Sequence, residues 1–202
     1  MASSSTEICN LALSHIGIGK EIADLETEAS QEASSCRRFY ENARDQVLRD
    51  FSWPFAMTTV SLSLVSENPT SEWDYAYRYP TDCMKSRRIL SGTRNETRQT
   101  RIPYQIAYDS TGKLIYTDEQ NAVLEYTKKV VDTGQFSADF AMALSFRIAF
   151  YVSPRLTSGD PFKLGERALK MYQAEIMRAQ ATAINELQDE EVPDSEFIRE
   201  RL

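Results

Sequence analysis

The chain has a single histidine, His15, and that bounds its chemistry early. Histidine catalysis needs a relay partner, and a histidine metal site needs further ligands. His15 stands beside Ile16 near the end of a helical pattern, with neither supplied by local spacing. A structural or surface histidine is the expectation. No nucleophile-elbow sequence is present. Gly17-Ile18-Gly19-Lys20 has a passing likeness to a phosphate loop. It lacks the spacer before Gly-Lys, and Glu21 stands where Ser or Thr belongs. A helix stop is the better reading. Cys9, Cys36 and Cys83 are odd in number and form neither a CxxC pair nor a zinc pattern. They read as free, mostly buried thiols in a reducing compartment. The carboxylates make no DxD or ExxH spacing. The expectation is a protein that is not an enzyme and carries no cofactor or metal.

Two charge features remain. The middle of the chain carries Arg78, Lys85, Arg87, Arg88, Arg94, Arg98 and Arg101 against Asp82 and Glu96. The end carries Asp189, Glu190, Glu191, Asp194, Glu196 and Glu200 against Arg199 and Arg201. Each reads either as a solvated surface or as a charged interface, between copies or onto another protein. For contacts between subunits the candidates are Arg87, Arg88, Arg94, Arg98 and Arg101. Basic residues among Tyr75, Tyr77, Tyr79 and Tyr104 could also hold a single strand. Alternating tyrosines more commonly pack a sheet.

Composition narrows the class. With 202 residues, 42% hydrophobic and 26% charged, the chain reads as one soluble globular domain with room for an inserted lobe. A net charge of −7 argues against a general nucleic-acid binder, which needs a basic face. The longest apolar run, Phe140 to Val152, contains Ser145 and Arg147, so no membrane span is expected. The opening MASSSTE lacks the basic and apolar regions of a signal peptide.

The elements follow from periodicity. Thr6 to Ile16 reads as a helix capped by Thr6 and stopped by Gly17 and Gly19. Ser30 caps a longer one whose stripe is Ala33, Cys36, Tyr40, Ala43 and Val47. Pro54 is expected to end it among Phe51, Trp53 and Phe55. The period then changes to two. Strands are expected at Val60–Leu64, Tyr75–Tyr79, Arg87–Leu90, Tyr104–Tyr108, Lys113–Thr117 and Ala122–Val130. Asp109 to Gly112 forms a hairpin turn, and short connections imply antiparallel pairing. Ser137 caps a helix through about Val152, closed by Pro154 and Gly159. Asp160-Pro161 starts a last helix with Leu164, Ala168, Met171, Tyr172, Ile176, Ala179, Ala183 and Leu187 on its stripe. The fold class is therefore α+β: a helical bundle with an inserted antiparallel β region, a long C-terminal helix and an extended tail. Its parts are residues 1–57, 58–131 and 132–188. The acidic tail at 189–202 has too little apolar surface to order itself unless bound.

The order of several stretches resembles the head-to-tail adaptors of tailed phages, the tail tubular protein A type of short-tailed phages. The stretches are Ile8-Cys9-Asn10-Leu11-Ala12-Leu13 with Ile16-Gly17, and the helix running into Trp53-Pro54-Phe55-Ala56. Tyr77-Arg78-Tyr79-Pro80-Thr81-Asp82-Cys83-Met84 is similar to that family's Tyr-x-x-Pro-x-Asp-Cys turn. Leu114-Ile115-Tyr116-Thr117 and Leu124-Glu125-Tyr126 follow, then Phe140 to Leu144 and Leu156-Thr157-Ser158-Gly159-Asp160. Together they span most of the chain to about Gln188. The resemblance implies a structural virion protein of the neck, assembled in the host cytoplasm. It implies a homo-oligomeric ring, twelve-fold in the family, beneath the portal protein. The ring would carry a tail or nozzle protein and extend the channel for double-stranded DNA, which passes without sequence-specific binding. It implies no enzyme activity, cofactor, metal or membrane. Under that reading Val192, Phe197, Ile198 and Leu202 are apolar anchors by which the tail docks on the portal. The alternatives are another neck or tail-completion protein, or a small cytosolic ligand-binding protein or enzyme.

Overall fold

Ser4 and Glu7 start the first helix, α1 (Ser5–His15), through a reciprocal capping box. Ser4 Oγ accepts from the Glu7 N–H at 3.1 Å, and Glu7 Oε2 accepts from the Ser4 N–H at 2.9 Å. Thr6, the expected cap, lies inside the helix. Its hydroxyl accepts from the Leu25 N–H at 3.2 Å and ties down the next connection. Asn10 adds to this by bonding the N–H and C=O of Ile22 at 2.8 and 2.9 Å. Gly17 stops the helix in a left-handed conformation, φ +78°. The chain is seen here in a computed structural model that describes residues 4–92, 100–160 and 162–186.

Helix α2 (Gln31–Asp50) is capped by Ser30, whose Oγ accepts from the Ala33 N–H at 3.2 Å. The stripe read from the sequence is its buried face, with Ala33, Cys36, Ala43 and Val47 fully enclosed. The helix stops at Asp50, short of the proline expected to end it, because Phe51 is already extended. Its last carbonyls are taken by side chains from elsewhere. Trp53 Nε1 donates to the Val47 carbonyl at 2.8 Å. Lys85 and Arg87 donate to the Arg49 carbonyl, each at 3.3 Å, and Arg87 to that of Phe51 at 2.8 Å. Cations there also suit the negative end of the helix dipole. Pro54 instead opens a 3-10 turn, Pro54–Ala56.

The β region holds β1 (Met57–Ser61), β2 (Leu64–Glu67), β3 (Tyr75–Arg78), β4 (Cys83–Ile89), β5 (Gln105–Asp109), β6 (Gly112–Thr117) and β7 (Val123–Lys128). They form two antiparallel sheets, β1-β7-β4 and β2-β3-β6-β5. The run Val60–Leu64, expected as one strand, is divided between them. The Leu62 N–H donates to the Ala122 carbonyl at 2.9 Å, whereas the Ser63 carbonyl accepts from the Arg78 N–H at 2.9 Å. The chain changes sheets between these residues, so Leu62 is buried and Leu64 exposed. Strand β4 starts earlier than expected because bulges between Cys83 and Lys85 and between Ser86 and Arg88 break its alternation. The Asp109–Gly112 hairpin is as read: Asp109 faces Gly112, and its Oδ1 accepts from the Thr111 N–H at 2.8 Å. The two sheets enclose their own core of Leu62, Tyr77, Ile89, Ile115, Leu124 and Tyr126.

Helix α3 (Ala138–Leu156) is capped by Ser137 and buries Phe140, Leu144, Ile148 and Val152 in the helical core. Pro154 does not close it but lies within its last turn. A proline there leaves the Phe150 carbonyl without the usual i+4 N–H, and that carbonyl faces the start of the next helix. A Cβ on Gly165 would stand 3.4 Å from it and 2.9 Å from Asp160 Oδ2, so only glycine allows this approach without a shift. Helix α4 (Leu164–Glu186) begins later than Pro161, because Asp160 and Lys163 are left-handed at φ 60° and 54°. Asp160 still caps it, accepting from the Leu164 and Gly165 N–H groups at 2.7 Å each. Burial opposes ionisation of this carboxylate, yet the bonds from Gly165 and Leu164 hold it below the usual range. Its 23 residues make a rod of about 34 Å. Ala168, Tyr172, Ile176 and Ala179 face the core, while Met171, expected on that stripe, is 42% exposed. Tyr172 occupies the inward position next to it, and adjacent helical residues point about 100° apart.

The fold is thus α+β, a helical core from both chain halves with an antiparallel lobe between them and a long C-terminal helix. Residues 187–202, which include the acidic tail read at 189–202 and the expected last two residues of the helix, lie outside the described residues, as do residues 93–99.

Candidate functional site

The residues with most chemical potential are drawn into packing. His15 stacks on Phe146, with ring centroids 3.9 Å apart and planes 16° from parallel. Its Nε2 is 3.0 Å from Ser145 Oγ. A histidine beside a serine invites a catalytic reading, and the hydrogen bonds oppose it. Ser145 donates its one proton to the Met142 carbonyl at 2.7 Å, so the His15 Nε2–H must be the donor to Ser145. A base that donates to the nucleophile cannot activate it. Burial holds the His15 pKa below the ordinary imidazole value of 6.5. The small cavity at its edge is shared with Arg167, whose fixed positive charge does not favour a protonated ring.

A pH dependence follows. A histidine whose folded pKa is lowered binds its proton more readily unfolded, so stability rises with pH through that window. Thermal unfolding should shift to lower temperature as pH drops from about 6.5 to 5, above the range of ordinary carboxylates. His15→Gln should flatten that slope. An equal slope in the variant would mean that His15 is not the group responsible.

Gly17 is a helix stop, and Lys20 pairs with Glu32 at 2.8 Å rather than facing an anion site. Cys9 and Cys36 are buried side by side in the helical core, and the hydrogen bond to Cys36 together with burial pushes the Cys9 thiol up. Among the described residues, no group of three or more His, Cys, Asp or Glu is placed to hold a metal ion. No described helix is long and apolar enough to cross a membrane. A cavity of about 420 Å³ is walled by Arg37, Arg38, Tyr40 and Arg44. Arg37 there binds the carbonyls of Leu25, Glu26 and Glu28, and Arg44 binds Asp45.

The basic middle segment separates into inward and outward members. Arg87 donates Nε to Thr127 at 2.8 Å besides its bonds to α2, so it joins the two cores within one chain. Arg88 pairs with Glu125 directly across from it on β7. Arg78 grips both oxygens of Asp109 at 3.1 and 3.0 Å. Bonds from Arg78, then Thr111, hold that carboxyl well below the usual range. Arg101 is exposed at the approach to β5. Arg94 and Arg98 lie outside the described residues, as do Val192, Phe197, Ile198 and Leu202. The tyrosines proposed for stacking are mostly committed. Tyr77 is 2% exposed and donates to the Glu119 carbonyl at 2.9 Å, and Tyr104 donates to Ser86 at 3.1 Å.

What the sequence did not reveal is where apolar surface stays open. Leu64 (50%) and Val65 (44%) are exposed on β2, and Ile106 (41%) and Tyr108 (70%) on β5. These are the two edge strands of the four-stranded sheet. On the helical side Phe162 (82%) and Met177 (69%) are exposed. Strand order was the missing knowledge, since periodicity cannot say which strand is an edge.

No family model matches the chain, and no curated protein matches it.

Proposed function

We propose that this protein is a head-to-tail adaptor of a tailed-phage virion, a structural subunit rather than an enzyme. Copies form a ring, twelve in the family it resembles, that sits under the portal and continues the DNA channel toward a tail or nozzle protein. The observation that supports this reading is the ordered set of motifs borne on one architecture: paired helices, an aromatic exit at Trp53-Pro54-Phe55, a Tyr77–Met84 turn inside an inserted β lobe, and a long terminal helix. The charge suits the task, because a net −7 subunit repels phosphates and lets DNA slide without capture.

In this reading Val192, Phe197, Ile198 and Leu202 dock on the portal and order as they do so. Co-sedimentation with the portal from the same genome tests it. The full chain should travel with the portal, and a chain lacking 189–202 should not. Equal binding by both forms would remove the tail's role, and binding by neither would count against the adaptor. A melting point raised by a nucleotide or a divalent metal would favour a ligand-binding protein instead.

A further inference from the structure

Four strands in antiparallel order leave a sheet with two edges that run in opposite directions. A second copy set alongside in the same orientation therefore brings its β2 antiparallel to the first copy's β5. The registers make this more specific. Leu64, Tyr77, Ile115 and Ile106 lie on one row across the sheet, one from each strand. Residues on one row point to the same face. The inner pair, Tyr77 and Ile115, is buried at 2% and 0%, while the outer pair is open, so the row ends in an apolar side chain at each edge. Val65, at the β2 bulge, and Tyr108, two residues beyond Ile106, widen the two ends. Edge strands normally carry lysine, proline or inward charge against such contact. Leu64, Val65, Ile106 and Tyr108 stand there instead.

Charge is ordered along the same edges. Gln105, Tyr116, Ala76 and Ser66 form another row of the same sheet. Just beyond it β2 ends in Glu67 and its loop carries Glu72, both exposed, while exposed Arg101 leads into β5. From Met57 to Tyr77 the chain has Glu67, Glu72 and Asp74 and neither lysine nor arginine. A neighbour that sets Leu64 against Ile106 thus also sets an acidic turn against a basic approach.

We propose that neighbouring copies of this chain join along these edges, β5 of one against β2 of the next. Ile106 and Tyr108 pack on Leu64 and Val65, and Arg101 meets the Glu67–Glu72 turn. The contact is heterologous: every pair still has one free edge of each kind, so copies add until curvature closes a ring. Its setting rests on the ring reading above, whereas its geometry comes from the sheet alone.

The test uses the full chain carrying Leu64→Cys with Ile106→Cys, mixed with portal and treated with a short bis-maleimide. The native thiols are poorly placed to interfere, Cys9 and Cys36 being buried and Cys83 half-buried. A ladder of dimers, trimers and higher species is expected from the double variant and not from either single one. Adding Tyr108→Lys should reduce the ladder about tenfold, the effect of a lost 1.4 kcal/mol, and adding Val65→Glu to that chain should restore it. Dimers from Leu64→Cys alone, as strong as those of the double variant, would mean a symmetric contact and overturn the proposal. The same mixtures are imaged in parallel. Rings without a ladder would place the contact elsewhere and leave the adaptor reading intact, and neither rings nor a ladder would overturn both.

Discussion

Replacing Trp53 by alanine is expected to remove about 4 kcal/mol of unfolding free energy, the largest single effect in the chain. The indole is 2% exposed and sits where both halves of the helical core meet. It packs edge-on against Phe51 with centroids 4.9 Å apart and against Phe140 with centroids 5.1 Å apart. Phe140 in turn touches Phe55 and Phe136, so the ring anchors a cluster linking the exit of α2 to the start of α3. Truncation leaves a cavity that these rings cannot close together, and it orphans the Val47 carbonyl that the indole N–H had satisfied. Against a total of about 5–15 kcal/mol, that loss approaches unfolding at physiological temperature. Trp53→Phe keeps most of the volume and loses the donor, so about 1–2 kcal/mol is expected from it. Denaturant titration followed by far-ultraviolet circular dichroism measures both. A loss below about 1 kcal/mol for the alanine variant would mean that the cluster does not hold the core together.

The second large effect is expected at Arg87. Its guanidinium reaches from β4 to Thr127 on one side and to the carbonyls of Phe51 and Arg49 on the other. These charge-assisted bonds close the end of α2 from the β lobe, and Lys129 beside Asp45 at 3.5 Å adds a weaker link. Arg87→Ala should cost about 2–3 kcal/mol, because Thr127 and the Phe51 carbonyl lose their donor in a half-buried place and the Arg49 carbonyl keeps only Lys85. Arg87→Lys should recover only part of this, since an ammonium cannot span both partners as the planar fork does. The local readout is hydrogen exchange at the last turn of α2, which should quicken by at least about tenfold in Arg87→Ala. Unchanged exchange there would mean that Trp53 and Lys85 close the helix without Arg87.

These two residues also mark the limit of what the sequence reveals. Trp53 and its neighbouring rings are visible as core material, because three aromatics in five residues cannot stay wet. The donors that replace the next turn of α2 are not visible, because Arg87 arrives from a strand far along the chain. Caps were legible where one candidate stands alone, as at Ser30 and Ser137, and misplaced where Ser4, Ser5 and Thr6 follow one another, as with Thr6 for Ser4. Alternation identified most of the strands but missed the first half of β4, where bulges break it, and the change of sheet at Leu62–Ser63, since Val60, Leu62 and Leu64 alternate straight through it. The basic segment looked like one surface, and the fold divides it: Arg78, Arg87 and Arg88 bind within the chain, and Arg101 faces out. The open edges at Leu64 and Ile106 could not be anticipated without strand order.

Electron microscopy of the purified protein, alone and mixed with the portal from the same genome, tests the adaptor proposal most directly. The proposal predicts a ring added beneath the portal with matching symmetry, its neighbouring β lobes joined edge to edge. A portal that gains no density, together with a protein that forms no rings by itself, would contradict it.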